Sequence, residues 1–213
     1  MLKDAGIEFD CYSGDVSVTE DVERFFACAV GRFGRVDIAV NNAGINNPLL
    51  PLHLMTDEGF DRTIAVNLRG VFLCMRAAAQ QMIKQGGGGR IISISSQAGK
   101  TGFPLLGPYC ATKAGVILMT QAMAKEVGPF KINVNCVCPG TIDTPLLRKA
   151  LDPILTATVQ TLEEWALKNM PGIALGRVGY PADVAKIITF LASDDGDYMT
   201  GQAINITGGQ EMH

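Results

Sequence analysis

Short β-prone apolar runs alternate along this chain with stretches whose apolar residues recur at helical spacing, and this pattern restricts the fold more than any other feature. Val36-Asp37-Ile38-Ala39-Val40, Arg90 to Ser95, Lys131 to Val137 and Ala203 to Ile206 have the composition of strands buried on both faces of a parallel sheet. Between them, Val22, Phe25, Phe26, Ala29, Val30 and Phe33 form the apolar face of a helix, with Ser17 and Glu20 ahead of it as a capping pair and Gly34 ending it. A helical stretch runs from Thr56 to Gln85, and another from Gly107 to Val127 with Pro129 stopping it. Pro181 suits the first turn of a helix carrying Val184, Ile187, Ile188 and Leu191 on one face. Crossovers long enough to hold a helix make successive strands parallel. The expected fold is therefore α/β, a Rossmann-like doubly wound parallel sheet with helices on both faces, in a single domain spanning residues 1–213. The run Gly86 to Gly89 follows a helix and precedes a strand, the reverse of the order a phosphate cradle needs, and reads as a turn.

Composition excludes several classes of function. The formal charge is −3 and the 18 Lys and Arg residues form no block, so a nucleic-acid partner is not expected. No apolar run approaches the roughly 20 residues that cross a bilayer, and no apolar stretch follows Met1-Leu2-Lys3-Asp4, so no membrane association is expected and the location reads as cytoplasmic. Cys11, Cys28, Cys74, Cys110, Cys136 and Cys138 are dispersed without a Cys-x-x-Cys pair and read as free, mostly buried thiols. Cys136 and Cys138 share one face of a strand, but His53 and His213 are the only histidines, and no metal site is expected. The same shortage of histidine, with no Gly-x-Ser-x-Gly elbow, argues against a hydrolase.

The residues that carry chemistry sit at strand ends and on one helix face. Tyr109 and Lys113 are four apart on a predicted helix, so a phenol and an ammonium share a face. A phenol titrates near 10, and bringing it to about 7 takes roughly 4 kcal/mol of preferential stabilisation of the phenolate, which a nearby cation can help supply. Ser95 and Ser96 end a buried strand, where sheets of this kind bind ligands.

With these residues in view, the chain resembles the short-chain dehydrogenase/reductase family from about residue 7 to 209. Asn41-Asn42-Ala43-Gly44 resembles the family's turn after its fourth strand, Ser96 with Tyr109 and Lys113 has its catalytic spacing, and Asn67 matches its fourth catalytic position. Pro139-Gly140 with Ile142 and Thr144 looks like its nicotinamide-side loop, and Asp15-Val16 like its adenine-contacting pair. The resemblance implies hydride transfer between NAD or NADP and a small-molecule alcohol or carbonyl substrate. Tyr109 would exchange the hydroxyl proton while Ser96 binds the oxygen. Lys113 would hold the nicotinamide ribose and lower the Tyr109 pKa, and Asn67 would hold a relay water. Asn42, Ala43, Gly44, Ser95, Tyr109, Lys113, Pro139 and Gly140 would line the cofactor site. A homo-oligomer, dimer or tetramer, through the helices at 56–85 and 107–127 is also implied.

The sequence departs from the family at its start. The family's first two strands and Gly-rich turn have no counterpart in these residues, Met1 to Gly6 looks like the tail of a helix, and the residue that selects NAD or NADP has no equivalent. In the family's strand order, 3-2-1-4-5-6-7, a strand at residues 7–12 would stand roughly 14 Å from the one at 36–42, leaving apolar edges unpaired. Three readings are open: a piece of a longer active protein, which is favoured, a truncated product with altered pairing, or a non-catalytic relative that assembles with partners. Residues 145–176, with Leu146, Leu147, Ile154, Leu155, Val159, Leu162, Trp165, Leu167 and Met170, correspond to the family's variable substrate lid. Polyols and small ketones lead a substrate range that the fold leaves open.

Overall fold

A computed structural model describes residues 6–170 and 172–213, with the side chains of Pro153 and Ile154 also outside the description. The reading of residues 1–5 as a helix tail falls outside the described residues. Four parallel strands, β1 (Ile38–Asn41), β2 (Gly89–Ile94), β3 (Ile132–Pro139) and β4 (Ala203–Ile206), form one sheet in sequence order. Its register sets Asn41 beside Ser93, Ile94 beside Val137 and Pro139 beside Ile206. Parallel order follows from the crossovers, since each strand is separated from the next by at least one helix.

The helices are α1 (Thr19–Phe33), α2 (Asp57–Ile64), α3 (Val71–Gln85), α4 (Gly107–Val127), α5 (Pro145–Thr158), α6 (Leu162–Asn169) and α7 (Pro181–Ala192). Alternate strand residues point to opposite faces. Ile91, Val134, Cys136 and Cys138 thus pack with Leu73, Met75 and Met82 of α3, Val116 and Ala124 of α4, and Val22 and Phe26 of α1. Ile92 and Val137 turn the other way onto Leu191, Val184, Ile187 and Ile188 of α7. Each such side chain contributes about 1.5–3 kcal/mol by leaving water, so the sheet is fixed from both sides over β2 and β3.

The structure departs from the sequence reading in four places. Residues 7–12 form no strand; they run beside α1, where Glu8 pairs with Arg32. The outer edge of β1 is unpaired among the described residues. β1 is buried on one face only: Ile38 and Val40 are 47% and 44% exposed. The Ser17–Glu20 capping pair does not form, because the Ser17 hydroxyl donates to Asp15 and Val18 takes the N-cap without a side-chain bond. The helical stretch from Thr56 is not continuous: a π-helical segment, Ala65–Gly70, joins α2 to α3. The glycine run is a turn, with Gly86, Gly87 and Gly88 all at positive φ. All six cysteines are free; Cys136 and Cys138 are buried, whereas Cys11 and Cys28 are exposed.

After β2 the chain makes a single 3-10 turn, Gln97–Gly99, that lies directly on α4. A Cβ on Gly99 would sit 2.7 Å from the carbonyl carbon of Lys113 and 3.0 Å from the nitrogen of Ala114, inside the contact limit of backbone atoms that cannot rotate away. We expect Gly99→Ala to destabilise the fold by about 1–3 kcal/mol through this overlap, read as a lowered midpoint of urea unfolding. An unchanged midpoint would mean that turn and helix are not in contact.

Candidate active site

The site is assembled where β2 ends against the first turns of α4. The Ser95 N–H donates to Val137 O at 2.8 Å, extending the ladder by one residue, and its buried hydroxyl donates to the carbonyl of Lys113 at 2.8 Å. The next residue leaves the sheet: the Ser96 Oγ accepts from the Ala98 N–H at 3.1 Å, capping the turn. That bond uses a lone pair and leaves the Ser96 hydrogen free to donate.

Tyr109 and Lys113 stand one turn apart on α4, as their spacing requires, and the Ser96 hydroxyl lies close enough to the Tyr109 phenol to favour its ionised form. Lys113 is 4% exposed; its Nζ donates to Ile94 O at 2.7 Å and lies 5.5 Å from the centroid of the Tyr109 ring. Burial pushes the Tyr109 pKa above its ordinary value, and the nearby Ser96 hydroxyl opposes this only in part. The expected lowering by Lys113 is not what this geometry gives. Both groups have lost water, so burial disfavours phenolate and ammonium alike, and it holds Lys113 down at about 8.

Asn67 is fully buried in the π-helical segment, and its amide is committed at both ends: Nδ2 donates to Ile45 O at 2.8 Å and Oδ1 accepts from the Ile45 N–H at 2.8 Å. It thereby fixes the loop after β1. A Cβ on Gly44 would come within 3.4 Å of Asn67 Oδ1 and 3.7 Å of Lys113 Nζ, so Asn67, Gly44 and Lys113 meet at one point. Asn42 and Ala43, next to Gly44, line a groove of about 370 Å³ with Asp15 and Val16, walled by Phe25, Phe26, Ile38 and Val71.

Pro139 ends β3 beside Ile206, and the Gly140 N–H donates to Ile206 O at 3.0 Å. The remaining loop residues are not gathered with these. Ile142 bridges to Gly179 and lines a separate cavity of about 350 Å³ with Thr141 and Thr207. The Thr144 hydroxyl accepts from the Leu147 N–H as the N-cap of α5. The Asp15 carboxylate, held low by its bonds from Ser17, also takes Arg62 at 3.1 Å. Sequence reasoning missed Asn47, which is buried, accepts from the Tyr109 N–H at 3.3 Å and donates to Leu105 O at 2.9 Å. An asparagine ahead of Pro48 in a loop was its only signal, since Asn residues there commonly bind nearby backbone.

A family model described as enoyl-(acyl carrier protein) reductase matches residues 2–211. A short-chain dehydrogenase/reductase of Armillaria gallica is 42% identical over 200 residues, covering 93% of this chain and 75% of that protein. The chain belongs to the short-chain dehydrogenase/reductase family. Within it, 3-oxoacyl-[acyl-carrier-protein] reductase of Thermotoga maritima is 42% identical over 200 residues, covering 94% of this chain and 76% of that one. Diacetyl reductase [(S)-acetoin forming] of Staphylococcus aureus is 38% identical over 202 residues, covering 93% and 76%. The solved structure of levodione reductase superposes with a TM-score of 0.91 at 31% identity, covering 98% of this chain and 80% of that one. The chain is an oxidoreductase of this family, and no helix among the described residues is long and apolar enough to cross a membrane.

Lys113 yields a test of the site's electrostatics that does not depend on turnover. An unfolded lysine titrates near 10.5 and the folded one at about 8, so between these values the unfolded chain holds the extra proton. Stability contributed by this residue therefore rises with pH across the window, by roughly 3 kcal/mol in all. Urea titrations from pH 8 to 10 should show wild type gaining stability relative to Lys113→Met. A constant difference would place the ammonium in water.

Proposed function

We propose that this chain interconverts a small ketone and its secondary alcohol using NAD or NADP, with Tyr109 as the acid or base. The approach of the Ser96 hydroxyl to the Tyr109 phenol, one helical turn from a buried lysine, carries the reading. The residues fit the two ends of a dinucleotide. Beside Gly44 the backbone lies open and next to Lys113 Nζ, and the groove under Asp15, Val16, Asn42 and Ala43 is apolar enough to take a flat base. When bound, the nicotinamide supplies or accepts a hydride.

The protein's own work is on the oxygen. Ser96 is held by Ala98 and donates its free hydrogen to the substrate oxygen, aligning it with the phenol. In reduction the Tyr109 O–H breaks and its proton goes to the developing alkoxide; in oxidation the alcohol proton returns to the tyrosine. A raised phenol pKa keeps Tyr109 protonated at neutral pH and favours the donor role in this state. Lys113, with its Nζ held between Ile94 O and the phenol ring, is positioned to bond the nicotinamide ribose, while Asn67 keeps Gly44 and Lys113 in register. Gly140 and Pro139 close the nicotinamide side, and Ile142 and Thr144 act behind them by fixing the loop and α5. Residues 145–176 cover the substrate: Leu151, Leu162 and Ala166 pack inward, while Leu146 and Leu167 remain exposed. The substrate class named for the Staphylococcus aureus relative, a small diketone, falls within this proposal.

Self-association to a dimer or tetramer through α2, α3 and α4 is part of the same reading, supported by Phe60, Phe72 and Leu118, which are 42%, 41% and 64% exposed. Sedimentation should give a mass of at least two chains; a monomer at micromolar concentration would remove it. Tyr109→Phe should lower NAD(P)H-dependent ketone reduction at least about a hundredfold while cofactor affinity stays within a few-fold. Substantial residual turnover would assign the proton to another group.

A further inference from the structure

Helix α4 begins without a cap of its own. Leu106 stands at its N-cap position and offers no side-chain acceptor, Pro108 in the first turn has no N–H, and a bond from Cys110 N–H to Leu106 O at 2.8 Å opens the helical ladder. The Tyr109 N–H falls among the orphan donors of that turn, and Asn47 Oδ1 accepts it at 3.3 Å from 62 residues away in sequence. The same amide, 3% exposed, donates through Nδ2 to Leu105 O at 2.9 Å and to Pro48 O. Leu105 lies at a φ of 66°, in the left-handed region that a residue with a Cβ avoids, and its carbonyl is what Asn47 grips. Two further bonds of this loop, Phe103 N–H to Cys110 Sγ at 3.4 Å and Leu106 N–H to Phe103 O at 3.2 Å, stay within residues 103–110. Asn47 joins it to the loop after β1.

That loop also carries Gly44. Two residues before Asn47, Ile45 is held at both backbone groups by Asn67, and Gly44 lies beside Asn67 and Lys113 Nζ. A continuous set of bonds thus runs from the buried π-helical segment through residues 44–47 to the backbone of Tyr109. We propose that Asn47 is a positioning residue for proton transfer: by capping α4 from the loop after β1 and pinning Leu105, it sets the Tyr109 phenol against Ser96. The phenol is carried on the first turn of α4 and moves with that turn, whereas Ser96 is bonded into its own turn after β2 and does not follow it. Proton transfer is steep in such geometry, since a misplacement of about 1 Å can cost on the order of a hundredfold in rate. The amide of Asn47 is spent on backbone groups, so its effect falls on the chemical step and not on binding. This inference rests on the proposed ketone reductase activity.

The test reads the chemical step apart from binding. In single turnovers of 2,3-butanedione with NAD(P)H, Asn47→Leu, which keeps the size and removes both kinds of bond, should lower the rate of NAD(P)H oxidation roughly tenfold or more. Cofactor affinity, read by NAD(P)H fluorescence, and KM for the diketone should stay within about threefold. Asn47→Asp keeps an oxygen that accepts from the Tyr109 N–H and should recover most of the lost rate. Asn47→Ser, too short to reach both partners, takes the place of the leucine variant if that one does not fold. A wild-type rate in the leucine or serine variant, or an aspartate variant no faster than they are, would overturn the role of Asn47 and leave the reductase reading standing. Losses confined to KM or to cofactor affinity would do the same. A wild-type chain that turns over no ketone would remove the reductase reading, and this inference with it.

Discussion

The Ser95 hydroxyl, bonded to the carbonyl of Lys113, ties the end of β2 to the middle of α4, and the site depends on that tie. Besides the Lys113 Nζ bond to Ile94 O at the end of a flexible side chain, sheet and helix are joined here by van der Waals contact, which sets spacing but does not fix how far one slides along the other. The Ser95 bond fixes that freedom, and Gly99 allows it by letting the turn lie on the helix backbone. Ser96 and Tyr109, one residue and one helical turn away, then meet without either side chain searching for the other. This is the preorganisation that proton transfer needs, built from a strand end and a helix face that each pack independently into the core.

Burial gives the site its second property. The pocket that holds Tyr109 and Lys113 excludes water from both, raising one pKa and lowering the other. A neighbouring cation stabilises a phenolate only to the extent that the cation itself survives in the pocket, and here desolvation is the larger effect on each. Lys113 nonetheless stays a donor below about pH 8, held by Ile94 O, and so can position a hydroxyl-bearing ligand. Asn67 is likewise not a free polar group. Both of its amide ends are used on Ile45, which makes it the brace between the π-helical segment and the Gly44 loop.

The sheet differs in character across its width. Over β2 and β3 both faces are packed, whereas β1 presents Ile38 and Val40 to an apolar groove and an unpaired edge. Asp15 and Val16 reach this groove, but the carboxylate of Asp15 is engaged with Ser17 and Arg62. The two halves of the site thus differ in rigidity of construction: the reacting end is over-determined by hydrogen bonds, and the groove end is formed mainly by side-chain walls.

Much of this was legible in the residues. Strand and helix alternation, the bounds of α4 from Gly107 to Val127, and the shared face of Tyr109 and Lys113 follow from local periodicity, because apolar spacing and proline placement act within a few residues. The motif residues at 42–44, and Ser96 as the partner of Tyr109 and Lys113, came from the family resemblance. Tertiary structure alone decided the rest. Whether Ser17 caps a helix or bonds Asp15, whether Val40 is covered, and which direction the Tyr109 pKa moves depend on what lies across space, and burial is not a property of a sequence window. Asn47 escaped for the same reason: an amide reads as an ordinary polar residue until the fold buries it, and only then does the presence or absence of a partner acquire an energy.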